Sequence, residues 1–169
     1  FTIARLSSET PYGPLTPRQA VALRRLLFLV VDAGRGPGGD WVKTVEGPRG
    51  ADLVMAAADT AVDAGVRAGF TALEGTNAEW QAALVRWRCG LSAAQRREFG
   101  APANWNCRDL KFFIGRVSFD QLGGERARQL NAVPTRFKLP AADVDLLIAA
   151  GADSLRSNEV YKAFLASLR

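Results

Sequence analysis

The stretch Leu26-Leu27-Phe28-Leu29-Val30-Val31-Asp32-Ala33-Gly34-Arg35-Gly36 decides how the rest of the chain is read. Six apolar residues, all branched or aromatic, run without alternation into an acidic residue and a glycine-bearing turn. A strand with one face in water alternates polar and apolar side chains. An unbroken apolar run suits a strand covered on both faces, the setting of a central parallel strand in an α/β sheet. The expectation is therefore a strand over 26–31, fully buried between layers. Ligands in such sheets bind beyond the carboxyl ends of strands, so residues 32–39 are where chemistry is sought first.

Working outward, residues 1–17 contain Pro11, Pro14 and Pro17 and read as an extended arm. Thr16-Pro17 supplies an N-cap and a proline at the first helical position for a short segment over 18–25. After the strand, residues 34–50 form a loop dense in Gly, Arg and Pro, too long for a tight turn, and long loops at strand ends often carry function. Over 51–73, Leu53, Val54, Ala57, Ala61, Val62, Ala64, Val66 and Phe70 recur at helical spacing. Asp52, Asp59, Asp63 and Arg67 fall on other faces, which predicts a long amphipathic helix packed on the strand. A second helix is expected over 77–91, capped by Asn77, with Trp80, Leu84 and Trp87 on one face. That aromatic stripe reads as core packing, with a lipid- or ligand-facing groove as the alternative.

Farther on, Ser92 caps a short helix over 92–99, and residues 110–119 (LKFFIGRVSF) make a second strand. Residues 120–130 read as a helical or turn connection and 132–139 as an extended segment. Pro140 opens a helix to Ala150 that Gly151 interrupts or bends, and a last helix covers 158–168. The order is strand, helix pair, strand, helix pair, without internal repeats.

With 169 residues the chain has enough length for one domain with a core. The longest apolar runs fall far short of the ~20 residues of a membrane span. Twenty-two basic against 17 acidic residues give a net charge of +5, carried mostly by scattered arginines. Arg86, Arg88, Arg96, Arg97 and Arg108 are the nearest approach to a basic cluster. They lack the aromatic-interleaved stripe of a nucleic-acid module, and no nucleic-acid partner is expected. A solvated face or a lipid or membrane surface accounts for them better. Phe1 and the single methionine, Met55, suggest a portion of something longer. Cys89 and Cys107 pair if the compartment is oxidising and are buried thiols otherwise.

The absence of histidine removes Ser-His-Asp, Cys-His and His-based metal chemistry from this chain taken alone. Gly-x-Ser-x-Gly and Gly-x-x-x-x-Gly-Lys are also missing, and Gly34-Arg35-Gly36 lacks the third glycine and immediate helix of a dinucleotide site. Asp32 reads as a strand-end cap or arginine partner rather than a catalytic acid. Asp40-Trp41 reads as an anchor for the loop. Ser7, Ser8, Ser92, Ser118, Ser154, Ser157 and Ser167 lie in no elbow-like context. No residue here is assigned a catalytic, cofactor-binding or metal-ligating role, and no cofactor is expected.

The block 26–36, the Ala-rich helix 51–73, the strand 110–119 and Val133-Pro134-Thr135-Arg136-Phe137 leading into residues 141–151 (AADVDLLIAAG) together resemble the C-terminal half of patatin-like phospholipases. The likeness covers most of residues 20–169 and rests on order and spacing. It implies that 18–169 is the C-terminal portion of a layered α/β sandwich with a central parallel strand and covering helices. It also implies a lipid acyl hydrolase working through a Ser-Asp dyad. The family's serine lies in Gly-x-Ser-x-Gly and its aspartate in Asp-Gly-Gly or Asp-Gly-Ala, both upstream of the matching region. Asp32-Ala33-Gly34 departs from that pattern at its second position. The implied partner is the upstream part of the same protein, and a half-sheet left alone is expected to self-associate through its open edge. The competing expectation is a non-enzymatic binding or assembly module using a Trp/Arg surface.

Overall fold

The computed structural model describes residues 10–32, 50–134 and 137–169, without the side chains of 51, 52, 55, 56 and 59. The described residues form a mixed α/β structure with six α-helices and two paired strands. Helix α1 (Pro17–Ala22) starts as its sequence dictates. Pro17 occupies the first turn, the Thr16 hydroxyl accepts from the Gln19 amide, and the Gln19 side chain accepts in return from the Thr16 amide. The preceding residues 10–15 are not extended as the arm was expected to be. They close consecutive turns through Gly13 N–H to Thr10 C=O and Leu15 N–H to Tyr12 C=O.

Strand β1 (Arg25–Val31) forms where the apolar run placed it, and β2 (Lys111–Val117) where its aromatic and β-branched residues did. Lys111 N–H donates to Arg24 C=O at one end, and Asp32 N–H donates to Val117 C=O at the other. Both chains advance in the same direction between those bonds, so the pair is parallel. A parallel pair needs a crossover connection, and α2 (Ala51–Cys89) and α3 (Ala93–Glu98) lie within it. Full burial of β1 is corrected. Residues 25–30 are half-buried and Val31 is 76% exposed, because β1 has a single strand neighbour among the described residues.

The two helices expected over 51–73 and 77–91 are one helix, α2, of 39 residues and about 58 Å. Asn77, read as a cap, instead lies buried in the helix interior, where its side-chain amide donates to Leu73 C=O one turn back. That bond uses the side-chain amide within the helix rather than at a helix start, while Asn77 Oδ1 is buried without a partner. The expected packing of 51–73 on the strand is also corrected. Leu53, Val54 and Val62 remain 56–69% exposed.

After β2, a 3-10 turn (Phe119–Leu122) leads to α4 (Gly124–Asn131), α5 (Ala141–Ser157) and α6 (Glu159–Ala166). Helix α5 runs through Gly151 without interruption, since one glycine costs only about 1 kcal/mol in a helix of that length. Asn158 separates α5 from α6, and its side-chain oxygen accepts from the Tyr161 amide as a cap. Thr135 and Arg136, part of the segment expected to be extended, lie outside the described residues.

The chain divides into two compact units. One comprises Phe1–Phe28, Thr71–Ile114 and Ala163–Arg169 and has its core on Ala20, Leu84 and Leu110. Successive residues of β2 point to opposite faces, so Phe112 meets Trp80 edge-on at 5.0 Å while Phe113 meets Phe164 at 5.6 Å. Gly13 sits at φ 62°, and a Cβ there would lie 2.9 Å from Trp80 Nε1. Only glycine serves both the turn and the ring against it. The other unit comprises Leu29–Phe70 and Gly115–Lys162. A Cβ on Gly115 would lie 2.9 Å from Val160 Cβ, so the missing side chain lets Val160 rest on the strand backbone. Asn158 donates to Arg116 C=O, and Arg126 pairs with Asp153 at 2.7 Å.

Candidate functional site

The strand end singled out by the sequence is occupied by an ion pair. Asp32 is half-buried, and its Oδ2 lies 3.5 Å from Arg116 Nη1 on β2. This is the arginine partnership expected of a strand-end aspartate. Ala33, residues 34–39 and Asp40-Trp41 lie outside the described residues.

Three of the serines have hydrogen-bonding roles in the local structure. Ser92 caps α3 through the Gln95 amide, with the Gln95 side chain returning the bond. Ser157 donates to Ser154 C=O on α5, and Ser167, just past α6, donates to Phe164 C=O on that helix. Ser118 is buried at the start of the 3-10 turn. Ser154 is buried on α5 with its hydroxyl unpartnered. Among the described residues no serine is hydrogen-bonded to a carboxylate, and no cluster of His, Cys, Asp and Glu is arranged to hold a metal ion. Ser7 and Ser8 lie outside the described residues.

The Trp80, Leu84, Trp87 stripe faces inward. Trp80 and Leu84 are buried, and Trp87 packs against Tyr12 at 4.9 Å and Phe99 at 6.1 Å. One turn after Leu84 on the same face comes Arg88, which is equally buried. Its Nη1 donates to Leu23 C=O at 2.6 Å, its Nη2 donates to Asn106 C=O at 3.2 Å, and its guanidinium lies 4.9 Å from the Trp105 ring centroid. Trp105 Nε1 donates in turn to Val21 C=O at 2.9 Å. Burial pushes the Arg88 pKa down while Asp109 pushes it up. A guanidinium remains protonated across any accessible range.

Arg88 thus ties α2 to the segment after α1 and to the loop before β2. Immediately beside it Cys89 and Cys107 form a disulfide with Cα atoms 5.0 Å apart, settling the open alternative for these two residues. Closing a loop of that size stabilises a fold by about 3 kcal/mol. At the foot of β2, Asp109 accepts from Arg25 Nη1 and Arg24 Nε, each at 2.6 Å. Hydrogen bonds from Arg25 and then Arg24 hold its carboxyl below the usual range.

Two adjoining surface hollows flank this assembly and share Arg96 and Trp105. One takes in Arg88, Asn106 and the disulfide, and the other Arg97 and residues 101–103. The structure therefore divides the arginine cluster read from the sequence: Arg88 is internal, Arg96 and Arg97 line the hollows, and Arg86 and Arg108 are exposed outside them. Sequence reading counted Arg88 as a surface charge. Its spacing four residues after Leu84 on the buried stripe was the available signal. Comparison with family models, with curated proteins and with solved structures finds no match to this chain.

Proposed function

We propose that this chain is the C-terminal portion of a patatin-like serine lipid acyl hydrolase. The observation that carries the reading is an incomplete α/β layer. A parallel two-stranded sheet, reached through a long helix in the expected order, has one neighbour per strand among the described residues, and the first turns of α2 carry exposed apolar side chains. Open strand edges and uncovered apolar helix faces ask for cover. In this reading the upstream part of the protein supplies it, completing a layered α/β sandwich in which β1 becomes central. The chain alone self-associates through the same surfaces.

The catalytic groups belong to the upstream part. A serine there attacks the ester carbonyl, an aspartate activates it, and backbone N–H groups stabilise the oxyanion. This chain contributes the sheet, its covering helices and part of the acyl-binding wall, with Asp32 held by Arg116 in a structural role. The net charge of +5 favours anionic phospholipid interfaces. A binding module with a Trp/Arg surface is the competing reading, but Trp80 and Trp87 are committed to the core.

Ester hydrolysis and serine labelling by a fluorophosphonate test the proposal. The purified chain is expected to show neither. The same chain produced together with its upstream coding sequence is expected to show both, with the label on an upstream serine. Turnover or label on a serine of residues 1–169 would overturn the assignment of catalytic groups. Inactivity of the longer product would sink the hydrolase reading itself.

A further inference from the structure

We propose that the two adjoining hollows, one lined by Arg88 and the other by Arg97 and both by Arg96 and Trp105, bind a phosphate group, carried by a phospholipid headgroup or free in solution. Arg88 offers the first reason. A guanidinium has five N–H donors, and this one, fully buried, spends its two Nη atoms on carbonyls and leaves Nε without a partner. No carboxylate forms an ion pair with it among the described residues. Asp109, the acid whose field reaches it, is already held by Arg24 and Arg25. A buried cation with no carboxylate paired to it is costly, and an anion lodged beside it offsets part of that cost.

The second reason is the company Arg88 keeps. Arg96 and Arg97 are exposed and form no ion pair among the described residues. Their place in the last turn of α3 suits the helix dipole, but it does not require both to line the same depression. The hollow that holds Arg88 measures about 230 Å³, room for a phosphate tetrahedron with its waters. Its walls are set in advance. The disulfide joins two of them, Trp105 is fixed through Val21 C=O, and Ala101 N–H closes onto Arg96 C=O at 2.8 Å. Guanidinium groups suit phosphate because their planar fork donates to two oxygens at once.

The test measures binding of the full chain to phosphatidylcholine vesicles with and without phosphatidylglycerol. In parallel it measures inorganic phosphate binding, followed by the indole N–H resonance of Trp105. R96Q/R97Q should reduce binding to the anionic vesicles by about 30-fold, the loss expected for two arginines at a charged surface. The charge-matched pair R86Q/R108Q should reduce it by less than about threefold if the hollow rather than net charge is responsible. Inorganic phosphate should shift Trp105 in the wild type and in R86Q/R108Q but not in R96Q/R97Q. A Trp105 response without vesicle binding supports the site and makes its ligand a free phosphate. Equal losses from the two double variants, or no response to either probe, overturn the proposal. Neither readout involves ester hydrolysis, so its failure is distinct from failure of the hydrolase reading.

Discussion

The two ends of α2 carry the same kind of pattern and meet different fates. Near its C-terminus Trp80, Leu84 and Arg88 are buried against the α1 region and β2, whereas near its N-terminus Leu53, Val54 and Val62 stand in solvent. Helical spacing of apolar residues specifies a face, but it does not specify what the face meets. An isolated helix gains little from propensity alone, and its stability comes from burying that face. The exposed end also carries Gly65 and Gly69, each costing about 1 kcal/mol relative to alanine. The comparison therefore separates a self-sufficient stretch from one whose sequence is patterned for a contact that the described residues do not supply.

The sharpest test of the buried end is Leu84→Ala. Leu84 is 0% exposed at the centre of the core with Ala20 and Leu110. Removing its isobutyl group deletes transfer energy and leaves a cavity, so we expect a loss of about 3 kcal/mol in denaturant unfolding. A loss below about 1 kcal/mol would mean that this end of α2 is no better anchored than the other.

A smaller effect is expected at the foot of β2. Asp109→Asn replaces two charge-assisted hydrogen bonds with weaker ones, and at a partly exposed site this should cost about 1 kcal/mol at neutral pH. The sign of its pH dependence follows from the direction of the shift. Arg25 and Arg24 lower the folded-state pKa of Asp109, so its contribution is present above the unfolded value near ~3.9 and disappears as pH falls through the folded value. Wild type and Asp109→Asn should accordingly differ at pH 7 and converge in strong acid. A difference that persists there would show that the carboxylate charge is not the stabilising element.

What could be read in the sequence follows the range over which each signal acts. Thr16-Pro17 and Ser92 capped their helices because a cap is decided within four residues. The β1 run became a strand because its composition leaves few alternatives. Asn77 was misread because its role depends on a neighbour one turn back and on burial, and cap propensity alone could not reveal either. Burial of β1 was overestimated because an apolar run reports the cover it is suited to, whether or not that cover lies among the residues in hand. Arg88 was missed since charge usually marks a surface, and its partners Leu23 and Asn106 are 65 and 18 residues away. The disulfide was legible as a pairing that two cysteines permit but do not require.

The smallest expected effect bears most directly on the exposed end of α2. Val62→Ser removes an apolar side chain that is 65% exposed, so the chain alone should change by no more than about 0.5 kcal/mol. If the upstream part of the protein covers this face, the same substitution in the longer product buries a hydroxyl where an isopropyl group belonged. The cost should then rise to about 1–3 kcal/mol, because a hydroxyl moved out of water needs a partner that an apolar contact does not offer. Amide exchange along α2 provides the matching measurement: protection should be strong over 77–88 and weak over 53–66 in the chain alone, and it should even out in the longer product. If the substitution is equally harmless in both and the gradient persists, the exposed end of α2 has no partner upstream, and its apolar spacing answers to some other contact.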